Sequence, residues 1–249
     1  MPTDVFDPLR ARLRTIHPAR HVGHVVALGR DQVRVAGLDR VVALGDRVAI
    51  SGDLTGEVLR IDADGCIVMP EGAPDGVRMG DAVHHLGPAS IAPHDSWLGR
   101  VIDPDGRPMD GRPLFPGARA QPLLAAPPAP ADRRGLGQRL RTGYAVFDTL
   151  LPIVRGQRVG LFAALAQGMS ADVVVIGLIG ERGREVRDFI ADTLGPEGLA
   201  RAVVIAATSD RPALTRARAA WAMMAVAEYF RDRGKHVLVL ADSITRFAE

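Results

Sequence analysis

RGQRVGLFAALAQGMSADVVVIGLIGERGRE, residues 155–185, holds two continuous apolar runs followed by a Gly-Glu-Arg-Gly-Arg-Glu turn. The runs predict buried strands over Arg158–Ala163 and Asp172–Ile179, joined by the link Ala164–Ser170. Strands without polar alternation belong to parallel sheets covered on both faces. A charged turn directly after such a strand lies at its carboxyl end, where open α/β sheets hold ligands.

Downstream, strand and helix patterns alternate. Val186, Phe189, Ile190 and Leu194 recur at helical spacing, and Gly195-Pro196 predicts the end of that helix. Ala202–Ala207 reads as another buried strand. Ser209-Asp210 and Pro212 start a long helix that Gly234 ends. Leu214, Ala217, Trp221 and Met224 form one apolar stripe on it; Met223, Val226 and Phe230 form a second. Trp221 and both methionines are read as core packing. Val237–Leu240 is the last predicted strand, delivering Asp242 to the sheet's carboxyl edge.

Upstream, VGHVVAL, QVRVAG, RVVAL, RVAIS, EVLRID and CIVMP read as short strands with turns at Gly29-Arg30-Asp31 and Asp64-Gly65, the pattern of a small barrel. His17, His21 and His24 straddle Pro18 and a helix-to-strand change, so ordinary surface histidines are preferred over a metal site. Asp7-Pro8 starts a helix with Leu9, Leu13 and Ile16 on one face and arginines around it. The pattern fits either packing on the barrel or docking to a partner or an anionic membrane surface. The predicted organisation is an α/β chain: an amphipathic helix over 1–19, a β-barrel over 20–90, connecting structure over 91–140, and a parallel sheet with helices over 141–249.

The chain has 249 residues, 47% hydrophobic and 24% charged, as in ordinary globular proteins. Its net charge of +2 carries no general nucleic-acid affinity. Cys66 stands alone, which excludes an internal disulfide and a cysteine-based zinc site. No apolar run reaches the roughly 18 residues of a membrane span and no signal peptide is visible, so a cytoplasmic protein is expected.

GQRVGLFA, ADVVVIGLIGERGREVRDFI, VVIAATSDRPAL, AEYFRDRGKHVLVLADSITRFA and LGRVIDPDGRPMDGRPL together resemble the export ATPases of bacterial flagella and type III secretion systems, cousins of the catalytic subunit of rotary ATP synthases. The resemblance covers most of residues 20–249. It implies a β-barrel followed by a RecA-like nucleotide domain, here incomplete, and assembly with other ATPase subunits. It implies Mg-ATP as the cofactor and protein export as the coupled work. Export-apparatus and stator-type regulatory proteins would bind through the amino-terminal helix, and the chain would lie in the cytoplasm or peripherally at the inner-membrane export gate. By the same resemblance, Glu181 matches the carboxylate that polarises the attacking water, and Arg182 the arginine facing the terminal phosphate. Asp242 matches the acid that holds magnesium through water, with Glu185 assisting. The alternative reading of Glu181, Arg182, Arg184 and Glu185 is a solvated, charged helix start.

One departure bears directly on activity. Where the family carries Gly-x-x-x-x-Gly-Lys-Ser/Thr, this chain has only Ala164-Leu165-Ala166-Gln167-Gly168-Met169-Ser170, and Lys235 is the only lysine in the sequence. Charge-assisted hydrogen bonds contribute about 1.5–3 kcal/mol each. Losing roughly four removes about 6–12 kcal/mol, against about 8 kcal/mol for micromolar binding. Gly168 and Ser170 offer at most a weak anion nest. The link can run back along a strand only if extended, which predicts an exposed apolar patch beside Leu161 and Val173. The sequence therefore leaves three readings. One is a relative that has lost nucleotide binding and serves in assembly or regulation. Another is a truncated, nonfunctional derivative, since the family pattern continues beyond Glu249. The third is an ATPase with an improvised loop.

Overall fold

The computed structural model describes residues 13, 21–52, 54–159, 171–243 and 245. Of the predicted amphipathic helix only Leu13 is described. The link Ala164–Ser170, with Gly168 and Ser170, lies outside the described residues, as does most of the strand expected over Arg158–Ala163. Arg158 and Val159, the start of that expected strand, are described and are not in one.

Six strands close a barrel: β1 (Val22–Leu28), β2 (Val33–Ala36), β3 (Asp46–Ile50), β4 (Leu54–Asp62), β5 (Gly65–Pro70) and β6 (Ala82–Pro88). Their order is β1-β2-β5-β4-β3-β6, and closure leaves no free edge. Inward residues alternate with half-buried ones, as along Asp46–Ile50, so one face fills the barrel with Val33, Val35, Val48, Ile50 and Val68. Gly65 enters β5 at φ +147, where a Cβ would fall 2.3 Å from the Val35 carbonyl oxygen, so only glycine fits this crossing.

The barrel corrects one expectation. Arg40–Leu44 is not a strand: Val41 and Val42 both donate their N–H to the Leu38 carbonyl, and the segment turns. Leu44 is left exposed. The sixth strand is instead Ala82–Pro88, whose two histidines and terminal Gly-Pro hide it from an apolar-run reading.

Beyond the barrel, β7 (Ser90–Ile91) pairs with β9 (Gln121–Pro122). Within the stretch read as connecting, β8 (Arg100–Ile102) joins the main sheet. A short helix, α1 (Ala145–Thr149), precedes the central strands. Those are β10 (Val173–Ile179), β11 (Ala202–Ala207) and β12 (Val237–Asp242), giving a parallel sheet ordered β12-β10-β11-β8. Every residue of β10 and β11 is buried, as the unbroken apolar runs require.

Alternate residues of β10 enter two different cores. Val173, Val175 and Ile179 pack with the long helix α4 (Ala213–Arg231). Val174, Ile176 and Leu178 pack on the other face with Val186 and Leu194. That second layer is α2 (Gly183–Asp188), a π-helical turn Phe189–Leu194 and α3 (Gly195–Ala200). Gly195 at φ +64 does end the first helix, as its sequence predicts, but Pro196 at once starts another. The expected patch beside Val173 is absent at that residue, which is only 2% exposed beneath α4; Leu161 lies outside the described residues. On α4, Met223 is core and Trp221 partly buried, but Met224 is exposed, because the Leu214–Met224 stripe flanks the contact with the sheet.

Candidate functional site

The sheet is doubly wound. The β10–β11 connection covers one face, and α4, connecting β11 to β12, crosses the other. Strands that leave toward opposite faces open a crevice at their carboxyl ends. Leu178 lies in register with Asp242 on the neighbouring strand, so both reach this end together.

A cleft of about 340 Å³ lies here. Glu181, Glu185, Asp188, Asp192 and Asp242 line it, with Leu178, Val186 and Phe189 as its apolar floor. The sequence-selected Glu181, Glu185 and Asp242 thus share one cavity. Arg182 is adjacent but does not line it, and its side chain is 80% exposed.

Backbone contacts fix the rim. Gly180, at φ +74, donates its N–H to the Ala207 carbonyl at 2.7 Å, bending the chain off β10. The Glu181 carbonyl accepts from the Ser209 N–H at 2.9 Å, tying the β10 turn to the β11 turn. The Arg182 N–H donates to Glu185 Oε2 at 3.1 Å, capping α2, and the Arg182 guanidinium lies 3.8 Å from the same carboxylate. Arg184 reaches Asp188 at 3.7 Å along the helix.

Sequence reasoning missed Asp188 and Asp192. Their signal was present: Glu185, Asp188 and Asp192 follow at intervals of three and four residues, one acidic face of a helix.

The described cleft offers carboxylates where a triphosphate needs cations. Lys235 precedes β12 and Asp242 ends it, so the lysine lies at the opposite end of the strand, about 20 Å away at 3.3 Å per residue. Among the described residues no three acidic, histidine or cysteine side chains come together as metal ligands. The described part of this edge is acidic, and the link Ala164–Ser170 lies outside the described residues. His24 Nδ1 meets the Gly80 carbonyl at 3.3 Å, and His17 lies outside the described residues. No helix among the described residues is long and apolar enough to cross a membrane.

A barrel followed by this doubly wound sheet is the architecture of the rotary-ATPase class, and residues 143–249 match the ATP synthase alpha/beta family, nucleotide-binding domain. The chain is 40% identical over 257 aligned residues to the flagellum-specific ATP synthase of Caulobacter vibrioides, covering 96% of this chain and 58% of that protein. It is also 40% identical to the type 3 secretion system ATPase of Xanthomonas euvesicatoria, with the same coverage. Among solved structures it is similar to the assembled ATPase EscN of the enteropathogenic E. coli type III secretion system, with TM-score 0.79, 36% identity, and coverage of 91% of this chain and 57% of EscN. EscN in complex with its central stalk EscO matches with TM-score 0.81. The chain belongs to the flagellar and type III secretion export ATPase family. It spans under three fifths of the length of these relatives.

Proposed function

We propose that this chain is an export-ATPase relative that no longer grips nucleotide and acts as an assembly or regulatory subunit. The observation that carries the reading is the seven-residue link Ala164–Ser170, which has neither the glycine-rich loop nor its lysine. The carboxylate-lined cleft supports it, since Glu181, Glu185 and Asp242 would repel a triphosphate not already neutralised by magnesium.

In this reading Glu181 and Arg182 keep the placement of catalytic groups, and Asp242 and Glu185 that of magnesium-side groups, without the phosphate cradle that made them effective. The organisation proposed is a docking helix over 1–19, the barrel over 20–90, a connecting region over 91–140 and a partial nucleotide domain over 141–249. The whole family protein would couple ATP hydrolysis to protein export in the cytoplasm, against the inner-membrane export gate. EscN is assembled and binds a central stalk. By analogy the partners here are other ATPase subunits, together with stalk, stator-type and export-apparatus proteins.

Titration with magnesium-ATP tests the proposal. No binding tighter than about 1 mM is expected, the weak end of the affinity scale. Micromolar binding would sink it and favour a loop improvised from Gly168, Met169 and Ser170. Co-expression with a full-length relative tests the assembly role, which predicts co-purification of the two chains.

A further inference from the structure

A cluster of buried charges joins the barrel to α4, and none of its residues lines the cleft. Arg218, on α4, has no exposed surface, and its Nη1 donates to Glu71 Oε1 at 2.5 Å. Glu71, just after β5, also accepts from Thr55 Oγ1 at 2.5 Å and from Arg47 Nη2 at 3.1 Å. Arg47, on β3, reaches Asp105 Oδ1 at 2.9 Å, and Asp105 also lies 4.0 Å from Arg218. Asp105 belongs to the Asp103–Gly106 turn after β8, so the cluster binds barrel, sheet edge and helix together. Glu57, opposite Arg47 on β4, faces the same group; burial and the neighbouring Glu71 raise its pKa against the pull of Arg218 and Arg47.

This is a poor device for stability alone. Buried ion pairs recover little beyond their desolvation cost, and apolar replacements of similar volume are often neutral or better. Nε of Arg47 and Nε of Arg218 are buried without a hydrogen-bond partner, a further cost. What such a cluster supplies is geometry, because a guanidinium presents its donors in a fixed planar fork. Its partners are far apart in sequence: Glu71 and Arg218 are separated by 147 residues. Helix α4 carries the constraint onward, since Met223 packs against Gly177 in β10, the strand that ends at the cleft.

We infer that Arg218, Glu71, Arg47 and Asp105 form an inter-domain lock that holds the barrel in one orientation against α4 and the sheet. Without it the barrel would turn about the connection that follows β6.

Spin labels at Arg40→Cys on the barrel and Arg184→Cys on α2 test this on the whole chain. Both native side chains are at least 90% exposed, and Cys66 is buried and stays unlabelled. The lock predicts one narrow distance distribution by pulsed electron resonance. In Arg218→Met the distribution broadens and gains a second maximum. The Arg218→Met/Glu71→Met double variant leaves no unpaired charge between these two positions and covers the case in which the single variant does not fold. It regains thermal stability but keeps the broad distribution, which separates orientation from stability. A broad distribution in the unsubstituted chain, or a narrow one in the double variant, would overturn the inference.

Discussion

Gly177 and Met223 meet with no space for one more methyl group. A Cβ at Gly177 would fall 2.6 Å from Met223 Sδ, in the middle of a strand buried on both faces. Gly177→Ala is expected to cost about 1–3 kcal/mol, the usual penalty of overpacking. Denaturant unfolding checks it. In a Met223→Ala background the same change should cost much less, and equal costs in the two backgrounds would show that the contact does not govern the position.

Arg100 grips Asp110 with two hydrogen bonds, Nε to Oδ2 at 2.6 Å and Nη2 to Oδ1 at 2.8 Å. These bonds hold the Asp110 carboxyl well below the usual carboxylate range, with burial opposing and Arg112 assisting. A depressed folded pKa stabilises the fold above the unfolded value, and that contribution is lost as pH falls through the folded value. Asp110→Asn should therefore cost about 1.5–3 kcal/mol at neutral pH, the value of one charge-assisted bond, and almost nothing in strong acid. Thermal melts across the acid range measure the difference. A constant cost at all pH values would contradict it.

Burial, reinforced by the charge of Asp39, pushes the Cys66 thiol up to about 11. The nucleophile is the thiolate, so this thiol is doubly protected, by enclosure and by protonation. A disulfide reagent is expected to modify Cys66 only as fast as the barrel opens, with the rate rising steeply in denaturant. Immediate reaction in buffer would show that the barrel is not closed.

Tyr229 donates its hydroxyl hydrogen to Asp95 Oδ1 at 3.1 Å, and the Arg233 guanidinium lies 3.5 Å from its ring centroid. Burial first, then the Asp95 charge, raises this phenol to about 12. An acid whose folded pKa is raised favours the fold in its neutral form, so the contribution holds at neutral pH and fades as pH climbs past 10 toward 12. Tyr229→Phe should cost about 1 kcal/mol, the net value of one hydrogen bond. In a Tyr144→Phe background, the tyrosinate absorbance should rise only near 12. A step at the ordinary value would refute the assignment.

The central strands were legible because a strand buried on both faces must be apolar throughout, and few other structures in a chain this size require that. The end of β10 and Asp242 followed directly, since a charged residue after such a run can only be at the rim. The segment Arg40–Leu44 misled because its valines satisfy a strand pattern, while the hydrogen bonds that decide its shape go to Leu38. Strand β8 was hidden because three residues carry too little pattern, and its place depends on β11, a hundred positions away. Arg218 was not singled out in the sequence. Its meaning lies in Glu71, and local spacing carries no information about a partner so remote. Asp188 and Asp192 were within reach, but the cleft that gathers them with Asp242 depends on the register of two strands.

That register, Leu178 abreast of Asp242, also works as a ruler. The gap between the acids at the two strand ends is set by the hydrogen-bonded repeat of the sheet, before any visitor arrives. A slip of one residue would turn Asp242 to the opposite face and dismantle the rim in a single step. Chain grafted between Ala163 and Asp172 would therefore meet acids whose spacing is already set.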